Sequence, residues 1–213
     1  MTSSSKERLL AMLTTPWVDK AIAVVAVIPF IWLSYIRIHA KPDIPRVALL
    51  IQGLLLIGMM IFRKTPVLVS VNPWFWVLTF VETYWIVVLF ATIEAGRSIV
   101  PYWASASLAT VGAVLMIWAR VSLGRSIGLV PALRSLVTQG PYGYVRHPIY
   151  SGGSLVFIAN VLSSYTPRNL MIVVIGIVLL VLKSFAEEHF LRSDPGYADY
   201  MKRVRWRFLP GIA

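Results

Sequence analysis

Hydrophobic positions in this chain come in long blocks. Six apolar segments, at 20–38, 47–62, 74–94, 103–121, 148–165 and 168–185, are separated by shorter polar stretches. A helix needs about 20 residues to cross the hydrocarbon of a bilayer, and the blocks approach that length, the second and fifth least closely. Pro16, Pro42, Pro45, Pro66, Pro73, Pro101 and Pro167 fall between blocks, where a residue without an N–H disturbs a helix least. Pro29 lies inside the first block and is a place for a kink. The pattern predicts an all-α, polytopic integral membrane protein with five to six transmembrane helices. The last two either both cross or form a helical hairpin.

The chain divides on this reading into an N-terminal interfacial segment, 1–19, four transmembrane helices over 20–121, and a region 122–213. That last region holds the final two membrane helices and a cytosolic C-terminal segment. Within 1–19, Ser5 followed by KERLLAML predicts a capped amphipathic helix on the membrane surface. The first block is too long for a signal-peptide core and lacks a small-residue cleavage site after it, which predicts an anchor.

Composition supports a lipid solvent. Of 213 residues 58% are hydrophobic and only 14% charged, too few charges to cover a water-facing surface of this size. The net charge of +11 sits mainly between and after the apolar blocks. With six crossings and the N-terminus inside, 15 of the 20 Lys and Arg residues fall on the cytoplasmic side and 5 outside. Both termini are therefore expected in the cytoplasm, with the long polar stretches 122–147 and 186–213. Once the spans are drawn no basic-aromatic surface is left for nucleic acid. The absence of cysteine excludes disulfides, thiolate zinc sites and a cysteine nucleophile. His39, His147 and His189 show no metal-helix spacing, and no metal is expected. There is no GxGxxG, GxxxxGK[ST] or GxSxG, which argues against dinucleotide, P-loop and hydrolase-elbow chemistry and against a soluble Rossmann methyltransferase.

Three stretches could carry chemistry. The first is Gly140-Pro141-Tyr142-Gly143-Tyr144-Val145-Arg146-His147-Pro148-Ile149-Tyr150. Pro141 and Gly143 favour a turn, and Pro148 suits the first position of a helix. His147 then stands at a helix N-terminus, suited to an anion; a well-capped helix start with aromatics at the headgroup belt fits equally. The second stretch is Lys183-Ser184-Phe185-Ala186-Glu187-Glu188-His189. Lys183 and Glu187 share a helix face, as do Ser184 and Glu188, either as an ordinary i,i+4 pair or as carboxylates that bind hydroxyls or a cation. The third, Pro195 to Pro210, carries Tyr197 and Tyr200 on one helix face, then cations with Trp206 and Phe208 that read as an interfacial anchor on anionic lipid. Glu82 and Asn160 lie at membrane depth, where a polar path and a structural hydrogen bond both fit, and Glu82 takes no assigned role.

Taken together, Leu136 to Tyr142, Arg146-His147-Pro148-Ile149-Tyr150, Glu187-Glu188, Tyr197-Ala198-Asp199-Tyr200 and Val204 to Pro210 resemble the isoprenylcysteine carboxyl methyltransferase and phospholipid methyltransferase superfamily of membrane enzymes. The resemblance covers roughly 120–210 and implies S-adenosylmethionine as cofactor. It implies cofactor contacts from Leu136, Val137, Tyr142, His147, Pro148, Ile149, Tyr150 and Glu187. In the carboxyl methyltransferases an arginine one turn before that glutamate lies by the reacting end of the lipid; here the position is Lys183, which keeps the charge and loses the bidentate fork. Lys183 and Glu188 are the expected catalytic residues, Lys183 to hold a carboxylate acceptor and Glu188 to stand by an amine. The implied function is methyl transfer to a lipophilic acceptor that enters from the bilayer, first a prenylcysteine-like carboxylate, otherwise a phospholipid amine or small thiol. The rival from another class is a non-catalytic scaffold or small transporter built on Glu82 and Asn160.

Overall fold

A computed structural model of the chain describes residues 11–13, 15–40, 54–128 and 130–211. Most of the amphipathic helix expected after Ser5 and the 47–53 half of the second apolar block lie outside these residues. The chain forms two compact units, one from Met1–Pro73 with Gly124–Ser135, the other from Trp74–Leu123 with Leu136–Ala213.

The first unit holds α1 (Pro16–Ala40), which runs through Pro29, and a helical stretch at 54–61. It also holds two short strands, β1 (Leu68–Val69) and β2 (Ala132–Leu133), antiparallel with Leu68 opposite Leu133 and Val69 opposite Ala132. This ladder corrects the all-α expectation. Extended backbone on both sides of it must pair its N–H groups, and Val67 donates to the Leu133 carbonyl at 2.8 Å and Ser70 to that of Pro131 at 3.0 Å. Asp19, buried in this unit, accepts from Arg63 at 2.5 and 2.7 Å and from Arg134 at 3.1 Å.

The second unit is helical: α2 (Pro73–Thr92), α3 (Tyr102–Leu123), α4 (Pro148–Ser163), α5 (Pro167–Leu191) and α6 (Pro195–Arg203). Proline opens α1, α2, α4, α5 and α6, where the missing N–H would have had no partner in any case. Thr166 caps α5 by accepting from the Asn169 N–H, and Asp194 caps α6 by accepting from that of Tyr197 at 2.8 Å. With only residues 164–166 between them, α4 and α5 turn back on each other as a hairpin.

Residues Tyr102–Ser126 and Pro167–Leu191 are long and apolar enough to cross a membrane, and α4 is a shorter apolar helix. On α5 the exposed side chains Met171, Val174, Ile175, Val178, Leu182 and Phe185 form one stripe. A helix facing water puts charge there. The other face of α5 packs Ile172, Val173 and Leu180 against Leu89, Phe157 and Val161. α3 and α4 approach most closely at a glycine pair: a Cβ on Gly112 would stand 2.6 Å from the Gly152 carbonyl oxygen, and one on Gly152 2.6 Å from that of Gly112.

One end of this unit is riveted by Asn169, which is fully buried. Its side chain donates to the carbonyls of Glu94 at 2.9 Å and Ser164 at 2.7 Å, and accepts from the Glu94 N–H at 3.1 Å. The loop after α2 is thereby tied to the α4–α5 turn. The start of α4 and the finish of α5 therefore share the opposite end, where the candidate chemistry gathers.

Candidate functional site

The turn into α4 is a short 3-10 segment, Gly140–Gly143. Gly140 has φ +62°, and a Cβ there would fall 2.4 Å from the Ser122 hydroxyl, so the turn needs glycine both for its backbone and for its closeness to α3. Pro141 accepts from the N–H groups of Tyr144 and Val145, each at 3.1 Å. The next two N–H groups, of Arg146 and His147, point away from the turn and donate to the carbonyls of Trp206 and Arg207, each at 2.9 Å. The Ser151 hydroxyl donates to the Phe208 carbonyl at 2.6 Å. The 204–208 segment is thus strapped across the start of α4.

Glu188 fastens the strap. It is 1% exposed, and its two oxygens accept from Arg146 Nε at 2.7 Å, Arg207 Nη2 at 2.7 Å and Arg207 Nε at 3.2 Å, with His147 Nε2 at 3.1 Å. Arg146 also donates from Nη1 to the carbonyls of Val204 at 2.9 Å and Arg205 at 2.6 Å. Arg207 lies over the ring of Phe185, 3.7 Å from its centre. One buried carboxylate therefore binds two guanidiniums and an imidazole from two separate stretches of chain.

Glu187, the neighbouring residue, faces differently. Tyr150 donates its hydroxyl to Glu187 Oε1 at 2.6 Å, and the Tyr150 ring stacks on that of His147, 5.3 Å between centres and 4° from parallel. His147 Nε2 faces Glu188, and the other ring nitrogen, Nδ1, lies 3.7 Å from Glu187 Oε2. A ring nitrogen and a carboxylate then stand side by side, an arrangement suited to a hydroxyl or an ammonium group. Burial, and after it the Glu187 carboxylate, raise the Tyr142 phenol above its ordinary value, so it stays a neutral donor. The Tyr142 carbonyl accepts from the Tyr200 hydroxyl at 2.8 Å, which ties α6 to the turn.

Lys183 does not pair with Glu187. Its Nζ donates to Glu82 Oε2 at 2.6 Å, across from α5 to α2, and lies 5.5 Å from the centre of the Tyr150 ring.

The structure brings together Tyr142, His147, Tyr150, Lys183, Glu187 and Glu188 from the residues expected in the sequence. Pro148 is fully buried at the first position of α4 and Ile149 half-buried beside it. Leu136 is exposed and Val137 half-buried on the extended stretch entering the turn; they carry no polar atoms to tie them to the cluster. Three members, Arg146, Arg207 and Glu82, were not among the site residues expected from the sequence. Arg207 read as a lipid anchor, and the signal for its place here was the need of Glu188 for a cation. Glu82 was a membrane-depth carboxylate without a partner, and Lys183 supplies one.

No protein with a curated description matches the chain. Residues 100–194, which run from just before α3 through Glu187 and Glu188 to the cap of α6, match the family model described as phospholipid methyltransferase. Over that segment the chain is similar to the phospholipid methyltransferases, within the isoprenylcysteine carboxyl and phospholipid methyltransferase superfamily.

Proposed function

We propose that the protein is an integral membrane enzyme that transfers a methyl group from S-adenosylmethionine to a lipophilic acceptor, with both termini and the site facing the cytoplasm. The observation that carries this is the pairing of His147 Nδ1 with Glu187 Oε2, 3.7 Å apart where α4 starts and α5 finishes. A carboxylate and a ring nitrogen beside neutral phenols suit the ammonium and ribose hydroxyls of this cofactor, so the residues present fit it. Tyr142, His147, Pro148, Ile149, Tyr150 and Glu187 would hold it, with Leu136 and Val137 at the edge. When bound, S-adenosylmethionine supplies a methyl carbon on a positively charged sulfur.

The protein's part is alignment and exclusion of water, since an in-line displacement needs no covalent intermediate with the chain. Glu187, oriented by Tyr150, would offer its negative charge to the cationic cofactor. Glu188, with its oxygens on Arg146, Arg207 and His147, keeps the 204–208 strap closed over these groups. On this reading the site would open to the cytosol for a polar cofactor and to the bilayer for an acceptor tail. A prenylcysteine-like carboxylate is the acceptor that Lys183 would hold if its ammonium were free. The 2.6 Å contact between Lys183 and Glu82 favours a second reading, in which the head is a phospholipid amine or a thiol.

Calorimetry on purified protein with S-adenosylmethionine and its demethylated product tests the proposal. His147→Ala and Glu187→Gln should each weaken binding about tenfold or more, the worth of one charge-assisted contact, in protein that still folds. Folded wild-type protein that binds neither compound would overturn the reading.

A further inference from the structure

Glu82 lies outside the 100–194 family match, nine residues into α2 and so about 14 Å along its axis from Pro73. Its Oε2 accepts from Lys183 at 2.6 Å and from the Thr83 hydroxyl at 3.4 Å. The pair is largely shielded, Lys183 at 7% and Glu82 at 14% exposure. Lys183 is also next to the candidate cofactor residues: its ammonium lies 5.5 Å from the ring of Tyr150, whose hydroxyl holds Glu187, and Glu187 is one helical turn further along the same face. The place where an acceptor head would meet Lys183 therefore has one buried cation between two carboxylates.

Thr79 adds a second observation. It is 1% exposed, one turn before Glu82 and Thr83 on the same face of α2. Among the described residues its hydroxyl oxygen is the buried side-chain polar atom without a hydrogen-bond partner. Such groups are rare in folded proteins and call for an explanation. A polar head brought beside Glu82 and Lys183 would give this one a partner.

We infer that Glu82 determines acceptor specificity: by holding Lys183 it cancels the charge a carboxylate head would need, and restricts the site to heads that are uncharged or cationic. This rests on the methyltransferase reading for what happens after the acceptor binds, but the charge selection itself does not. A carboxylate brought to Lys183 has to displace Glu82 or join two other carboxylates around one ammonium in a shielded place, and either path loses binding. An amide, thiol or amine meets no such conflict. An ammonium held at 2.6 Å by one carboxylate lacks the planar fork that would serve a second carboxylate at once.

The test uses full-length protein in lipid nanodiscs and two probes that differ only in charge, N-acetyl-S-farnesylcysteine and its primary carboxamide. Wild type should bind the carboxamide at least as tightly as the carboxylate. Glu82→Gln frees Lys183 and should tighten the carboxylate about tenfold relative to the carboxamide, the scale of one recovered ion pair. Adding Lys183→Gln to Glu82→Gln should remove that gain, which a merely structural role for Glu82 would not do. A wild type that prefers the carboxylate tenfold, a ratio unmoved by Glu82→Gln, or no binding of either probe to either protein would overturn the inference. If Glu82→Gln fails to fold, the wild-type ratio alone still decides. Failure to bind the demethylated cofactor would sink the methyltransferase reading while leaving this ratio to stand or fall separately.

Discussion

Replacing Glu188 with glutamine keeps the size of the side chain and removes its charge. In the native site that charge serves Arg146 at 2.7 Å and Arg207 at 2.7 Å, with the carboxylate 1% exposed and the guanidinium side chains 8% and 13% exposed. At an effective dielectric of 20 each contact is worth up to about 4 kcal/mol before desolvation, and much of that is offset by burying the charges. Removing one member of a buried pair costs about 3–5 kcal/mol, because the partner is left uncompensated. Arg146 retains the Val204 and Arg205 carbonyls, so the lower end, roughly 3 kcal/mol, applies to opening of the strap. That is about a hundredfold in the open population. Hydrogen–deuterium exchange reads it directly, since the Arg146 and His147 N–H groups donate to Trp206 and Arg207. Glu188→Gln should speed exchange at these two amides by about two orders of magnitude while the middle of α3 and α5 is unchanged. Glu187→Gln should leave the strap closed and weaken cofactor binding. Unchanged exchange at Arg146 and His147 in folded Glu188→Gln protein, or acceleration spread evenly over all helices, would refute the assignment of Glu188 as the fastening.

Two further substitutions test the frame rather than the site. Gly152→Ala places a methyl 2.6 Å from both the Gly112 carbonyl oxygen and Met116 Cγ, so α3 and α4 must separate; we expect a loss of about 1–3 kcal/mol in reversible unfolding from bilayer-like micelles. Asn169→Ala strips the fully buried rivet of its two donated bonds and one accepted bond. It should cost about 2–4 kcal/mol in the same assay, with cofactor affinity in the surviving folded fraction within about twofold of wild type.

Much of the helical frame was legible because its signals are local. Proline marks the starts of α2, α4 and α5 in the sequence, and the structure puts them at Pro73, Pro148 and Pro167, within a residue of the expected boundaries. The finish of α5 was less legible: hydrophobicity stops near 185, but the helix continues to Leu191, where Glu188 holds the strap and Leu191 packs against Tyr197, Tyr200 and Val204. The two-residue ladder was hidden since each strand is too short for an alternating pattern to register. Helix spacing pointed to Lys183 with Glu187, yet each has a better partner on another helix. Glu82 is 101 residues from Lys183, and Tyr150 is 37 from Glu187. Such pairings depend on which faces meet, which residue order alone does not specify. For the same reason the cations after α6 read as a lipid anchor, although Arg207 closes on Glu188.

The strap also sets an order in time. Ser151 is synthesised 57 residues ahead of Phe208, whose carbonyl it binds. At ribosomal rates of roughly 5–20 residues per second, the start of α4 waits about 3–11 s before the segment that covers it exists. Glu188, made 19 residues ahead of Arg207, at first has Arg146 and His147 alone, and until the strap follows the two N–H groups that enter α4 have no carbonyls to meet. A nascent chain arrested before residue 204 would therefore possess its apolar helices and lack a finished binding site, so the capacity for chemistry arrives after the helices rather than with them.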